Sequence, residues 1–322
     1  MKCWLSAIAA ACLFIIAGDQ VRAASYPDRP VRVIVPFAAG GSADLTIRSV
    51  SQRLAEKLKQ PFVIESKPGA GGQVGIEFAL SAPGDGYTLI STPSGAVSIV
   101  PNLRKVQFDP AEDFEPVAML AKVPVAIAVN GNLPINSIKE FIEYTKKQPD
   151  GVSYSVAAIG THMHLAGEIF KAQTGAKMLP IPYKGTAPAA AAVYSGEVQA
   201  TVSDLASLLP LTHNGKIKIL AVLDRERTKV APEIPSIGEL GVPDASVGAW
   251  IGVFAKKGTS FEVVSKLNSE INQALRDPEI QAIYSNAGLE TWSITPGEMR
   301  NFVQGDINWW KKAVGSISLR LN

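Results

Sequence analysis

The sequence predicts an α/β fold of two units, each a mainly parallel sheet flanked by helices. Three observations lead there. Short β-branched runs alternate with stretches whose apolar residues recur at helical spacing. That alternation restarts midway along the chain. Glycine-rich loops fall between strand and helix, where parallel βαβ units make their turns. With 322 residues and 47% hydrophobic content, the chain has the material for two cores and is too apolar to be disordered.

The elements follow in order. Val31–Val35 is β-branched and is stopped by Pro36. Ile47, Val50, Leu54 and Leu58 then mark one face of a helix. Residues 61–64 form a second strand, followed by a glycine loop and a helix carrying Val74, Phe78 and Leu80. Residues 87–90 and 125–129 are further strands. After Asn130 the pattern begins again. Strands are expected at Val152–Val156, Met178–Pro182, 199–203 and 217–223, and helices at 165–172, 188–195 and 205–213. Four capping boxes, each Ser or Thr with Glu three residues on, mark helix starts: Ser137/Glu140, Ser236/Glu239, Thr259/Glu262 and Thr295/Glu298. The third opens a helix with Val264, Leu267 and Ile271 along one face. The fourth, with Pro296 at the first helical position, opens a helix that places Trp310 in the core. The expected division is 24–127 plus 254–322 for the first unit and 128–253 for the second. Hinge candidates lie at 125–129 and 251–254.

Residues 1–23 read as a cleavable export signal. Lys2 supplies the positive start, residues 4–17 the apolar stretch, and Val21 and Ala23 the small residues before a cut at Ala24. The apolar stretch is shorter than the ~20 residues a membrane span needs. Lipid attachment at Cys12 is the weaker alternative, because Ala9 sits where a larger aliphatic residue belongs. Cleavage removes Cys3 and Cys12, the only cysteines, so the product has neither a disulfide nor a thiol. In a bacterium it would be periplasmic.

Composition and motifs exclude several chemistries. With 31 basic and 29 acidic residues, the chain lacks the basic surplus of a nucleic-acid binder. His162 and His164 form an H-x-H with Glu168 one turn on, but cysteine is absent from the mature chain and His213 is distant. No metal and no cofactor are expected. Gly40-Gly41-Ser42-Ala43 is followed by Asp44, which breaks the nucleophile-elbow pattern. Residues 69–75 fail the dinucleotide fingerprint at Val74.

Two glycine loops carry the functional signal. Residues 39–44 and 69–75 each lie between a strand and a helix. Each exposes backbone N–H groups and the positive end of a helix dipole at the carboxyl edge of a sheet. Glycine lets a ligand approach the backbone closely. The pair makes an anion site at a topological switch point. No Arg or Lys stands within the loops, which suits a carboxylate held by neutral donors.

The chain resembles the solute receptors of tripartite tricarboxylate transporters, the Bordetella-uptake-gene type. The resemblance runs from residue 26 to Trp310 and is carried by segments 35–44, 67–72, 85–89, 164–168, 182–188 and 250–258. It implies a class-II-like periplasmic binding protein, a monomer without catalysis. Such a receptor closes on a small carboxylate and delivers it to membrane transporter subunits. By resemblance, the first unit contributes Phe37, Ala39, Gly40, Gly41, Ser42, Asp44, Gly72, Gln73, Thr92 and Ser94 to the site. The second contributes Val156, Ala158, Thr161, His162, Lys184, Gly185, Thr186, Ser203 and Asp204. Relatives often carry Ser where this chain has Val156, and Asp where it has Ser203. The far end of the pocket is therefore expected to be less polar, favouring an aliphatic or aromatic dicarboxylate. His162 is either a polar contact or a surface loop residue. Two other readings stand beside the receptor: a ligand-presenting subunit of a membrane kinase, and a secreted α/β hydrolase.

Overall fold

The computed structural model describes residues 26–183 and 185–316. The export signal and Lys184 lie outside the described residues. The first sheet contains β1 (Val31–Val35), β2 (Phe62–Ser66), β3 (Thr88–Pro93), β4 (Phe114–Val123), β10 (Ala249–Lys256) and β11 (Glu290–Thr291). Its order is β2-β1-β3-β10-β4-β11. The second holds β5 (Val125–Asn130), β6 (Val152–Val156), β7 (Met178–Pro182), β8 (Ala200–Asp204) and β9 (Ile217–Val222), in the order β7-β6-β8-β5-β9.

The two sheets share one plan. In the first, α1 (Ser42–Leu58) and α2 (Gln73–Leu80) connect the parallel strands β1, β2 and β3. In the second, α5 (His162–Thr174) and α6 (Thr186–Ser195) connect β6, β7 and β8, also parallel. The α/β class and the two-sheet architecture are as expected. So is the mainly parallel arrangement: β1, β2, β3 and β4 run one way in the first sheet, and β6, β7, β8 and β9 in the second. The exceptions are β10 with the short β11 in the first sheet and β5 in the second, which run against their neighbours. The cause is where the chain crosses. Ala249 enters the first sheet opposite Val123, the last residue of β4, and Ile251 then pairs with Pro93, the last residue of β3. Val125 enters the second opposite Asp204, the last residue of β8. A chain entering at the carboxyl edge has to run against the strands that end there.

Sheet membership changes at Pro124 and within 223–248. The expected boundaries at 127/128 and 253/254 fall inside β5 and β10. The ten-residue β4 was not anticipated. Its sequence, FEPVAMLAKV, shows no polar alternation because it is buried along nearly its whole length, and Pro116 argues against a strand when read locally.

The remaining helices are α3 (Val100–Leu103), α4 (Ile138–Lys147), α7 (Leu205–Leu208), α8 (Phe261–Ala274), α9 (Pro278–Asn286) and α10 (Pro296–Ser316). The expected helix at 205–213 is shorter, with α7 passing into a tight turn at Leu209–Leu211. Ser137 caps α4, and Thr295 and Glu298 cap α10 reciprocally at 3.2 and 2.8 Å. Ser260, not Thr259, caps α8; the Thr259 hydroxyl bonds back to Lys256 O. Ser236 and Glu239 do bond, but they close a turn and open no helix. On α2 the inward face is Gly75, Ile76 and Ala79, while Val74 and Phe78 are exposed. A Cβ on Gly75 would stand 2.7 Å from Lys67 O and Pro36 Cα, so this face admits only glycine there. Trp310 and Val314 of α10 join the core of the second unit, with Ile127, Tyr154 and Phe170. Met299 and Val303, nearer its start, pack in the first with Trp250 and Phe254. This helix therefore ties the two units together.

Candidate ligand-binding site

β4 leaves the first sheet at Val123 and β5 enters the second at Val125. The single residue between them brings the carboxyl edges of the two sheets together. The glycine loops lie on the first of these edges. After β1, Gly41 is the extended N-cap of α1, and no side chain caps the helix. The amides of Ser42 and Ala43, the first two helical residues, have no acceptor within the helix. Asp44 is buried behind them. Its carboxylate accepts the Gly40 amide at 3.0 Å and Arg48 Nε at 2.9 Å. Arg48 beside it holds the carboxyl below its usual range, with the Gly40 amide acting in the same direction against burial. Asp44 thus braces the loop, and the Gly40 amide is already engaged.

After β2, Gly72 is the N-cap of α2, again without a side-chain cap. Its φ is +100°, and a Cβ would meet Ala96 Cβ at 2.9 Å and Phe37 Cζ at 3.2 Å. Phe37, from the first loop, therefore packs on the second and sets their spacing. The Gln73 side chain donates from Nε2 to Glu77 Oε1 of its own helix at 2.8 Å. Thr92 and Ser94 are buried at the end of β3. Ser94 Oγ accepts the Trp250 amide at 3.5 Å, joining this edge to the returning strand β10.

In the second unit, Val156 is fully buried at the end of β6. The Ala157 carbonyl accepts the Gly185 amide at 3.1 Å, and the Thr161 hydroxyl bonds Ala158 O at 2.7 Å. Thr161 caps α5. Gly185, with φ +120°, starts α6 without a side-chain cap, and Thr186 is its first residue. Asp204 caps α7, accepting from Ser207 N and Oγ at 2.8 Å. Ser203 Oγ is buried with no hydrogen-bond partner. Of the helices that follow β1, β2, β6, β7 and β8, α1, α2 and α6 start without a side-chain cap, while Thr161 and Asp204 cap α5 and α7.

His162 is not a surface loop residue. It is buried, with Nε2 2.6 Å from Val247 O and its ring edge-on to Trp310 at 5.1 Å. Burial pushes its pKa down to about 4, against the opposing pull of the Val247 carbonyl. His164 accepts the Gly160 amide at Nδ1, 3.1 Å away, and burial lowers its pKa as well. No group of three metal-ligating side chains occurs among the described residues. Sequence reasoning passed over Ser66, the last residue of β2, and Ser91 in β3. Both hydroxyls are buried without a partner. For Ser66 the available signal was a lone hydroxyl at the end of β2; Ser91 stands beside Thr92 in β3, and nothing local sets it apart.

The fold, two sheets with flanking helices, matches that of the periplasmic binding protein BugD (34% identity, TM-score 0.76, 92% and 99% coverage). The sequence model of the tripartite tricarboxylate transporter family receptor matches residues 46–319, and the chain belongs to that family. It is 33% identical to Protein BugT of Bordetella pertussis over 306 residues, covering 94% of this chain and 93% of that one. Among solved structures it is similar to R. palustris Rpa4515 with adipate (33% identity, TM-score 0.79, 92% and 99% coverage). It is also similar to MatC from Rhodopseudomonas palustris with bound malate (30% identity, TM-score 0.75, 90% and 100% coverage). No helix among the described residues is long and apolar enough to cross a membrane.

Proposed function

We propose that the chain is a periplasmic receptor, exported by cleavage before Ala24, that captures a plain dicarboxylate between its two units. It catalyses nothing and passes the ligand to a membrane transporter of the tripartite tricarboxylate type. The observation that carries this reading is the pair of uncapped helix starts at Gly41 and Gly72, spaced by Phe37. Amides and dipoles of this kind hold a carboxylate without a counter-charge. Family membership, and the adipate and malate of two relatives, support a carboxylate ligand. Closure turns about Pro124 and segment 223–248.

Ligand choice rests on the second unit. Val156 offers methyl groups where relatives offer a hydroxyl. A polar ligand group buried there without a partner costs about 1–3 kcal/mol. One Asp204 oxygen already serves the α7 cap, which disfavours an ammonium at this end. A thermal-shift panel tests the reading, since bound ligand stabilises by RT ln(1 + [L]/Kd). Succinate, adipate and an aromatic diacid should shift the midpoint more than malate, citrate, aspartate or glutamate. A larger shift from citrate or glutamate than from every plain diacid overturns it.

A further inference from the structure

Away from the glycine loops, a cavity of about 450 Å³ lies between β10, α10 and segment 223–248. Four tryptophans, Trp250, Trp292, Trp309 and Trp310, line it together with Phe302. Phe302 stands edge-on to Trp292 at 4.7 Å and to Trp250 at 6.2 Å, so three of the rings form a continuous aromatic wall. Phe302, Asn301 and Arg225 are exposed, and the cavity opens to solvent beside them.

Two carboxylates are set among these rings. Asp306 accepts Trp250 Nε1 at 2.9 Å. Asp224 accepts the Arg225 amide at 2.7 Å. Neither carboxylate is in an ion pair among the described residues. Burial raises the pKa of both; Glu290 and Glu226 push Asp224 the same way against Lys122, while Arg225 is exposed at the cavity mouth. Lys122 Nζ itself lies 5.3 Å from the Trp292 ring centre. Ser246 Oγ, buried and without a hydrogen-bond partner, belongs to the same wall.

We propose that this cavity is a second binding site, for a small organic cation of the alkylammonium class, held by Asp224 and Asp306 against the aromatic wall. A cation is favoured over an anion because the carboxylates Asp224, Asp306, Glu226 and Glu290 outnumber the cations Lys122 and Arg225 around the cavity. An organic cation is favoured over a metal because two carboxylates and ring faces do not complete a metal's oxygen shell, whereas ring faces attract ammonium. The volume suits a small ligand.

The test titrates the exported chain with choline and follows tryptophan fluorescence, since all four tryptophans after the export signal line the cavity. Choline's uncharged carbon isostere and sodium chloride at matched ionic strength are the comparison titrations. We expect a saturable change with choline alone. Asp224→Asn should weaken choline binding roughly tenfold or more, as for a lost charge-assisted contact. Phe302→Leu, at an exposed position that tolerates exchange, should weaken it about twofold to thirtyfold. The proposal fails if choline gives no saturable change, if the uncharged isostere binds equally well, or if both folded variants bind choline as the parent does.

Discussion

Replacing Ser42 by proline isolates the contribution of a single backbone donor. Ser42 is the first residue of α1, and its N-cap, Gly41, has φ −81° and ψ 173°. Proline is well accommodated at a first helical position, and the extended conformation of Gly41 is the one a residue before proline prefers. The substitution should therefore leave the helix intact and remove the Ser42 N–H. If that N–H meets the ligand carboxylate, its loss costs about 1.5–3 kcal/mol, or roughly 10–150-fold in affinity. Ser42→Ala keeps the amide and removes only the hydroxyl, so it separates the two donors. Calorimetric titration with the best diacid of the thermal-shift panel reads the affinities. The melting midpoint without ligand reports folding. A Ser42→Pro protein that folds and binds as tightly as the parent refutes the backbone-amide reading of the loop.

Three further outcomes are expected. Gly72→Ala would force a side chain into a φ of +100° and within 2.9 Å of Ala96 Cβ; unfolding in urea should show a loss of about 1–3 kcal/mol. His162 is held neutral in the folded chain, with its pKa near 4 against an ordinary 6.5, so its contribution is fully present above pH 6.5 and is lost as pH falls toward 4. The parent should lose up to about 3 kcal/mol more across that interval than His162→Gln, and parallel stability curves for the two would count against it. Val156→Ser should raise malate affinity relative to succinate by roughly 5–150-fold if a ligand hydroxyl reaches this strand end; competition between the two acids measures the ratio.

Much of this protein was legible in the amino-acid sequence. Val31–Val35, Val152–Val156 and Met178–Pro182 appear with the bounds their β-branched runs suggest. Thr295 and Glu298 cap α10 as their spacing implies. The glycine loops stand where expected because their positive-φ turns and open helix starts are encoded within a few residues. Such features are local. Chain chemistry over one turn of helix or one short strand determines them.

Strand direction and side-chain partnership were decided only by the tertiary structure. The period of a strand is the same whichever way it runs, so nothing in β5 or β10 marks them as antiparallel. That follows from entry at the carboxyl edge, opposite Asp204 and Val123. The role of Asp44 depended on whether its carboxylate turned outward or back to Gly40 and Arg48. The fate of His162 depended on Val247, 85 residues away, and on Trp310. The aromatic cavity brings together Lys122, Asp224, Trp250 and Asp306 from separate parts of the chain. Periodicity cannot report such contacts, because each is chosen by which surfaces the packed units press together.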